Sequence, residues 1–246
     1  MPSVSIKDKV VLITGSNRGI GKSFAMQALE LGAKKVYATA RNEASLAELV
    51  ALNDDRVVTL TLDVTSQEQV DAAAAAAVDV QVLINNSGMG GGGPLFANSD
   101  ETGRRMEMEV NYFGIMKMAL AFGPILGANG GGAIVNILSV AGLSSFAFAP
   151  GYSASKAAGR SLTQALRAEL AGQGTLVSGV FPGPVDTDMA KDVPMAKVSP
   201  DSVVTHVYDA IANGDEDIYP DPFAEQFAKG VQADFKAVEK ANAAGF

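Results

Sequence analysis

The chain is 246 residues long, with 19 Lys and Arg against 27 Asp and Glu, a formal net charge of −8. That balance excludes a basic nucleic-acid or anionic-membrane face as the main contact, and an apolar share of 48% excludes disorder. With no cysteine and a single histidine, His206, neither thiol catalysis nor a thiolate or histidine-cluster metal site is open to it. A Ser-His-Asp triad would depend on His206 alone, which reads as a surface or lid residue. No apolar run reaches the roughly 18 residues of a membrane span, and the start, MPSVSIKDK, lacks the apolar core of a signal peptide. The expectation is a cytoplasmic protein without membrane or nucleic-acid partners.

Apolar, β-rich runs recur along the chain at Val10–Ile13, Lys35–Ala40, Val57–Leu62, Val80–Ile84, Ala133–Leu138 and Leu176–Phe181. Most are too continuous for half-solvated strands and read as strands covered on both faces. Helical segments alternate with them. Ile20–Leu31 stops at Gly32, a C-terminal signal. Ser45–Leu52 and Ser66–Ala77 follow, the second with Thr65 and Ser66 as candidate caps. Asp100–Phe122 and Tyr152–Ala171 are the long ones. The rhythm predicts one α/β domain over 1–246, a doubly wound parallel sheet with helices on both faces. Two stretches break it: Met89–Gly93, with Gly90 to Gly93 consecutive, read as a flexible loop, and Asp186–Asp201, which has no period. Both follow strand C-terminal ends, where open α/β sheets bind ligands. The tail from Asp221 to Phe246 reads as an amphipathic helix with Phe223, Phe227, Val231 and Phe235 at intervals of four, a core or subunit-interface stripe.

The first strand runs into Thr14-Gly15-Ser16-Asn17-Arg18-Gly19-Ile20-Gly21. Glycines there let the backbone approach a pyrophosphate, and the helix that follows offers N–H groups and a positive dipole end. A strand before and a helix after make this a dinucleotide site, spaced Gly-x-x-x-Gly-x-Gly. At the end of the second strand an acid would hold the ribose 2′-hydroxyl of NAD. Ala40 stands there instead, followed by Arg41, with Arg18 in the glycine loop. Two guanidinium groups without an opposing acid select a 2′-phosphate, hence NADP(H).

Tyr152-Ser153-Ala154-Ser155-Lys156 opens a helix, and positions i and i+4 share a face. A cation beside a phenol favours the phenolate, so the pair is expected to bring Tyr152 closer to neutral pH than its usual value near 10. With these residues in place, the chain resembles the short-chain dehydrogenase/reductase family from roughly Lys7 to Met189. The match rests on the Thr14–Gly21 loop, Asp63, Asn85-Asn86-Ser87-Gly88, Asn111, Ser139, Tyr152 with Lys156, and Pro182-Gly183-Pro184-Val185-Asp186-Thr187. Ser139 precedes Tyr152 by 13 positions, similar to the family's separation.

The resemblance implies a Rossmann fold and a set of roles. Tyr152 would be the acid/base, Ser139 would hydrogen-bond the substrate oxygen, and Lys156 would bind the nicotinamide ribose and lower the Tyr152 pKa. Asn111 would hold a water in a proton relay. Gly15, Asn17, Gly19, Ile20 and Gly21 would cradle the pyrophosphate, and Asp63 and Val64 would contact adenine. Asn85, Asn86, Ser87 and Gly88 would line the cofactor cleft, with Pro182, Gly183, Val185 and Thr187 at the nicotinamide. Ser87 stands where the family usually has alanine. The implied activity is that of an NADP(H)-dependent carbonyl reductase or alcohol dehydrogenase. A 3-oxoacyl-type reductase is less suited, because the Gly90–Gly93 run differs from the polar segment such enzymes carry. A dinucleotide sensor need not retain Ser139, Tyr152 and Lys156 together, and a sugar-nucleotide epimerase would need more chain after the sixth strand. Met89, Ala141, Phe146, Phe148, Met189 and Met195 are the candidate substrate contacts, favouring an apolar or aromatic carbonyl or alcohol. The two phenylalanines equally suit a subunit contact. The small-residue stripe Ala157, Ala158, Leu162, Ala165 and Leu166 lets helices approach closely, and the family resemblance implies a homotetramer, or else a dimer.

Overall fold

A computed structural model describes residues 2–97 and 101–244. Its centre is a seven-stranded sheet formed by β1 (Val10–Ile13), β2 (Lys35–Ala40), β3 (Val57–Thr61), β4 (Val82–Asn85), β5 (Gly132–Ile137), β6 (Thr175–Val180) and β7 (Asp217–Ile218). The spatial order is β3-β2-β1-β4-β5-β6-β7, and each neighbouring pair is parallel. This is the expected doubly wound, Rossmann-like α/β sheet.

Strand side chains alternate between two cores, as a period of two dictates. In β1, Val11 and Ile13 enter the core that holds Phe24 and Tyr208, whereas Val10 and Leu12 enter the one that holds Met118 and Phe122. On the first face lie α1 (Gly19–Glu30), a short α2 (Ala47–Val50) and α7 (Pro200–Asn213). On the other lie α3 (Gln67–Ala76), α5 (Ile115–Ala128) and α6 (Pro150–Leu170). Both faces of the central strands are therefore dry, which is why they read as unbroken apolar runs.

Several boundaries differ from expectation for physical reasons. The expected second helix is half 3₁₀, over Glu43–Leu46, before α2. The third is capped by Ser66, whose hydroxyl accepts from the Gln69 N–H. The long helix does not stop at Phe122. It runs as α4 (Glu101–Met108), a π-helical stretch over Glu109–Gly114, and α5, passing through Pro124. The residue four back from that proline is Leu120, which faces outward, so water can serve the carbonyl left without a helical donor. Asp100, where this helix was expected to start, lies outside the described residues. The united helix is long and apolar enough by composition to cross a membrane, but Met118, Phe122 and Leu126 are spent on the sheet. The unperiodic stretch ends in α7, which the sequence reading missed. Ser199 caps it and Gly214 closes it in the left-handed conformation at φ 84°. The tail is two helices, α8 (Pro222–Ala233) and α9 (Phe235–Ala244), with Asp221 as the cap of the first. The last two residues of the expected tail lie outside the described ones.

Candidate active site

The cleft opens where strand order reverses, between the C-terminal ends of β1 and β4. Gly15 and Gly19 take positive φ, 69° and 52°, a conformation that glycine adopts without steric cost. Gly21 has no room for a side chain: a Cβ there would stand 2.1 Å from the Gly15 carbonyl oxygen and 2.5 Å from Asn86 Nδ2. Asn86 donates from Nδ2 to the Thr14 and Gly15 carbonyls, at 2.9 and 3.1 Å. The Thr14 hydroxyl accepts from the N–H groups of Asn86 and Ser87, both at 2.9 Å. The β1 and β4 turns are thus tied into one floor. Arg18, the residue before α1, gives no side-chain hydrogen bond to the first turn, and the helix start faces the cleft.

The cleft has a volume of about 1650 Å³. Of the residues expected to meet a dinucleotide, Gly15, Asn17, Arg18, Gly19, Ile20, Gly21, Ala40, Arg41, Asp63, Val64, Asn86, Ser87 and Gly88 line its first part. Pro182, Gly183, Val185 and Thr187 line the far wall together with Tyr152 and Lys156. Asn85 does not reach it. Being the last residue of β4, it points into the sheet, where its Nδ2 donates to Asn136 Oδ1 at 2.8 Å. The expectation that Asn85 lines the cleft is therefore corrected: strand alternation sends it the other way.

The reacting end is assembled from three elements. Ser139 follows β5 and starts a 3₁₀ turn over Val140–Gly142. That turn sits close on α6 because Gly142 lacks a side chain; a Cβ there would stand 2.8 Å from the Lys156 carbonyl carbon and oxygen. Tyr152 and Lys156 lie one helical turn apart at the start of α6. The Lys156 ammonium is buried, donates to the Ile137 carbonyl at 2.8 Å, and stands 5.6 Å from the Tyr152 ring centroid. Asn111, fully buried in the π-helical stretch, accepts from the Met89 N–H at 2.9 Å and donates to the Met89 carbonyl at 2.7 Å. It also donates to Ser155 Oγ at 2.8 Å, and Ser155 donates to the Tyr152 carbonyl at 2.7 Å. The Asn111 side chain therefore links the loop after β4 to the Tyr152 turn. Its side chain does not line the cleft, and the side-chain amide makes these contacts within the protein.

The electrostatics reverse one expectation. Burial pushes the Tyr152 phenol up to about 12, the Ser139 hydrogen bond works against that rise, and the Glu107 charge adds to it. Burial holds Lys156 down at about 8. The Lys156 ammonium donates to the Ile137 carbonyl and lies over the Tyr152 ring, and burial is the larger influence on the phenol.

Met89, Ala141, Phe146, Phe148, Met189 and Met195, the expected substrate contacts, all line the cleft. Met106, Val110 and Phe223 join them, and these three the sequence reading missed. Phe223 stacks on Phe227 at 5.8 Å between centroids, and Phe227 stacks on Phe146 at 5.6 Å. The stripe read as core or interface is in part a wall of the cleft. His206 lies outside, exposed, in a recess of about 330 Å³ beside β7 and α8.

Residues 9–197 match the family model for short chain dehydrogenases. The chain belongs to the short-chain dehydrogenase family. An uncharacterized oxidoreductase of Staphylococcus saprophyticus is 34% identical over 197 residues, 77% of this chain and 83% of the relative. Among solved structures, a short-chain dehydrogenase from Burkholderia cenocepacia in complex with NADP is 38% identical. It covers 97% of this chain and 99% of its own, with a TM-score of 0.92. A short-chain dehydrogenase/reductase from Burkholderia phymatum in complex with NAD is 28% identical, over 95% of this chain and 96% of that one, with a TM-score of 0.84. This short-chain dehydrogenase is thus an oxidoreductase by family, and its neighbours include both NADP and NAD complexes.

Proposed function

We propose that the protein is an NADP(H)-dependent oxidoreductase acting on the carbonyl or secondary alcohol of a small apolar or aromatic molecule, with Tyr152 as acid/base. One observation carries this reading: Ser139, Tyr152 and Lys156 converge at one end of a continuous cleft whose other end is the glycine cradle. The residues fit a dinucleotide. Gly21 leaves no space for a side chain against Gly15, and Gly15 and Gly19 hold positive φ, so the turn is shaped for close backbone approach. The glycine loop with the start of α1 would hold the pyrophosphate, Asp63 and Val64 the adenine, and Lys156 the nicotinamide ribose. When bound there, the dinucleotide would supply hydride-transfer chemistry.

The rest is work for side chains of this chain. Ser139 and Tyr152 are the hydroxyls placed to hydrogen-bond a substrate oxygen, and such donors matter most as negative charge grows there. A phenol held at about 12 keeps its proton at neutral pH, so Tyr152 enters the reaction as a proton donor. That suits carbonyl reduction. The methionines and phenylalanines of the wall offer apolar, polarizable and adaptable contacts, which favours an apolar or aromatic carbonyl partner.

Preference for NADP(H) rests on Ala40, which leaves the 2′ position without an acid, and on Arg18 and Arg41 in the same wall. The NADP complex of the Burkholderia cenocepacia protein supports the reading by similarity. The test is oxidation of NADPH and NADH against a panel of carbonyl compounds. At least tenfold higher kcat/KM with NADPH is expected, about 1.4 kcal/mol or more of differential binding. A preference for NADH refutes it. The reading implies a cytoplasmic enzyme, where these dinucleotides are held. Exposed Leu120 and Phe113 on the long helix, and exposed Ala157 and Ala165 on α6, support pairing of these helices between copies. A homotetramer, or at the least a dimer, is expected by light scattering, against about 25 kDa for a monomer.

A further inference from the structure

Glu107 is 1% exposed, in the α4 turn that precedes the π-helical stretch. It lies outside the cleft lining, so it does not meet substrate. Its Oε1 accepts from the Gly92 N–H at 3.0 Å. Its Oε2 is buried without a hydrogen-bond partner among the described residues. Burying a carboxylate oxygen unsatisfied is costly, and such groups in a native fold call for a reason.

The packing supplies one. The carboxylate is wedged between the Gly90–Gly93 loop and the first turn of α6. A Cβ on Gly92 would stand 3.2 Å from Oε2, and a Cβ on Gly151 only 2.3 Å from it. A side chain at 151 would collide with Glu107 and crowd Arg104, and one at 92 would press on both. The start of α6 is also where a helix dipole favours negative charge. Gly151 is the neighbour of Tyr152, and across the loop a Cβ on Gly90 would stand 3.2 Å from Tyr152 Cδ2. The glycine loop therefore lies on the phenol ring, and Glu107 is what ties the loop to the turn that carries the phenol. Arg104, one turn earlier on α4, braces the same place through its donation to the Pro94 carbonyl at 3.3 Å. Electrostatically the carboxylate is close enough to be felt by Tyr152.

We propose that Glu107 is a positioning residue, clamping the Gly90–Gly93 loop to the first turn of α6 so that loop and Tyr152 ring hold one geometry at the reacting end of the cleft. The proposal rests on the reading of Tyr152 as acid/base. It turns the glycine run from a flexible loop into a shaped strap, with glycines that make room for an acid.

The test uses Glu107→Leu, Glu107→Gln and Gly151→Ala in the full chain. Leucine removes the acceptor. Glutamine keeps an oxygen for the Gly92 N–H. Alanine at 151 suits a helix and is accommodated only if the Glu107 carboxylate and, by a smaller amount, the Arg104 side chain move. Two readouts are taken: hydrogen–deuterium exchange of the 90–93 amides without substrate, and kcat together with the NADPH dissociation constant. Glu107→Leu and Gly151→Ala are expected to speed loop exchange about tenfold and to lower kcat about tenfold, with NADPH affinity within twofold of wild type. Glu107→Gln is expected within about threefold of wild type in both. Wild-type exchange in Glu107→Leu, or faster exchange with unchanged kcat, overturns the proposal. So does a Glu107→Gln protein as impaired as Glu107→Leu. Should Glu107→Leu fail to fold, Gly151→Ala decides on the same two readouts. Because exchange is measured without turnover, failure of the clamp is separable from failure of the Tyr152 reading, which Tyr152→Phe tests directly.

Discussion

Lys156 is held in the folded chain at a cost, and the cost has a measurable sign. Its side chain is buried and its pKa is about 8 instead of the ordinary 10.5. At about 1.36 kcal/mol per tenfold change in proton affinity, keeping the ammonium charged inside the fold costs about 3 kcal/mol at neutral pH. Lys156→Met retains the length of the stem and removes the charge. It also leaves the Ile137 carbonyl without its donor, a loss of about 1 kcal/mol. The variant should therefore be more stable than wild type by about 2 kcal/mol at pH 7.5, while turnover collapses. Such a gain of stability at the expense of function is typical of a site residue.

The pH dependence gives the discriminating result. The folded value lies below the unfolded one, so between pH 8 and 10.5 the unfolded chain binds more protons at Lys156 than the folded chain does. Wild-type stability should rise with pH across that window relative to Lys156→Met, and the full penalty should be present below about pH 8. Urea unfolding of both proteins at pH 7.5, 9 and 10.5 measures it, and the gap between them should shrink as pH rises. A gap that is constant with pH, or a variant less stable than wild type at pH 7.5, would refute the reasoning.

Three other outcomes are expected. Tyr152→Phe keeps the ring but removes the proton donor, so kcat should fall by about 10²–10⁴-fold with NADPH affinity unchanged by fluorescence titration; near-wild-type turnover removes Tyr152 from the mechanism. Ala40→Asp combined with Arg41→Ala restores an acid at the 2′-hydroxyl and deletes a cation, so the NADPH preference should reverse; steady-state kcat/KM with both cofactors checks it. Arg18 pairs with Asp188 across the cleft at 2.8 Å, both side chains about two-thirds exposed. An exposed pair is worth about 0–1 kcal/mol, so Asp188→Asn should free the guanidinium and tighten NADPH by no more than about fivefold. Equal tightening of NADH in the same titration would show that Arg18 does not meet the 2′-phosphate.

What could be read in the sequence, and what could not, follows from how local each signal is. Five of the six apolar strands were legible because both faces of each are buried, leaving no polar alternation, while β3, at the sheet edge and only partly buried, was legible from its β-branched residues. β7 was not, since it is two residues long and owes its strand conformation to β6. α7 carried its own signals in Ser199, Pro200 and Gly214, but the preceding unperiodic loop hid where it began. Within the site, residues on contiguous motifs line one cleft, and Asn85 does not because a motif treats as one turn what strand geometry splits between core and cleft. Glu107 was invisible for a different reason. Glu101, Glu107 and Glu109 all sit on one helix, and only tertiary packing buries the second. A faint signal existed: Glu107 is four residues before Asn111, so both share a helix face, and Gly92 and Gly151 leave room at the carboxylate.

The Tyr152–Lys156 pair shows why the sign of a pKa shift needs the fold. On a solvated helix, a cation four residues from a phenol stabilises the phenolate by Coulomb attraction, and that is the expectation their spacing gives. Inside this cleft both groups are desolvated first. Desolvation favours the neutral form of each, raising the acid and lowering the base, so the two move apart from their charged states together. The directions have a chemical consequence. A neutral phenol that resists ionisation is poised to give a proton and poorly poised to take one. The lysine, near its midpoint around pH 8, carries a charge that small changes in its surroundings can restore. A negatively charged neighbour within a few ångströms of Nζ would favour the ammonium, and the ammonium would in turn favour the phenolate. Ser139 already pulls in that direction and Glu107 against it. On the proposed reading of Tyr152 as acid/base, reduction would find its proton donor ready at neutral pH, whereas alcohol oxidation would require the phenol to be ionised first and should gain with rising pH for as long as Lys156 keeps its charge.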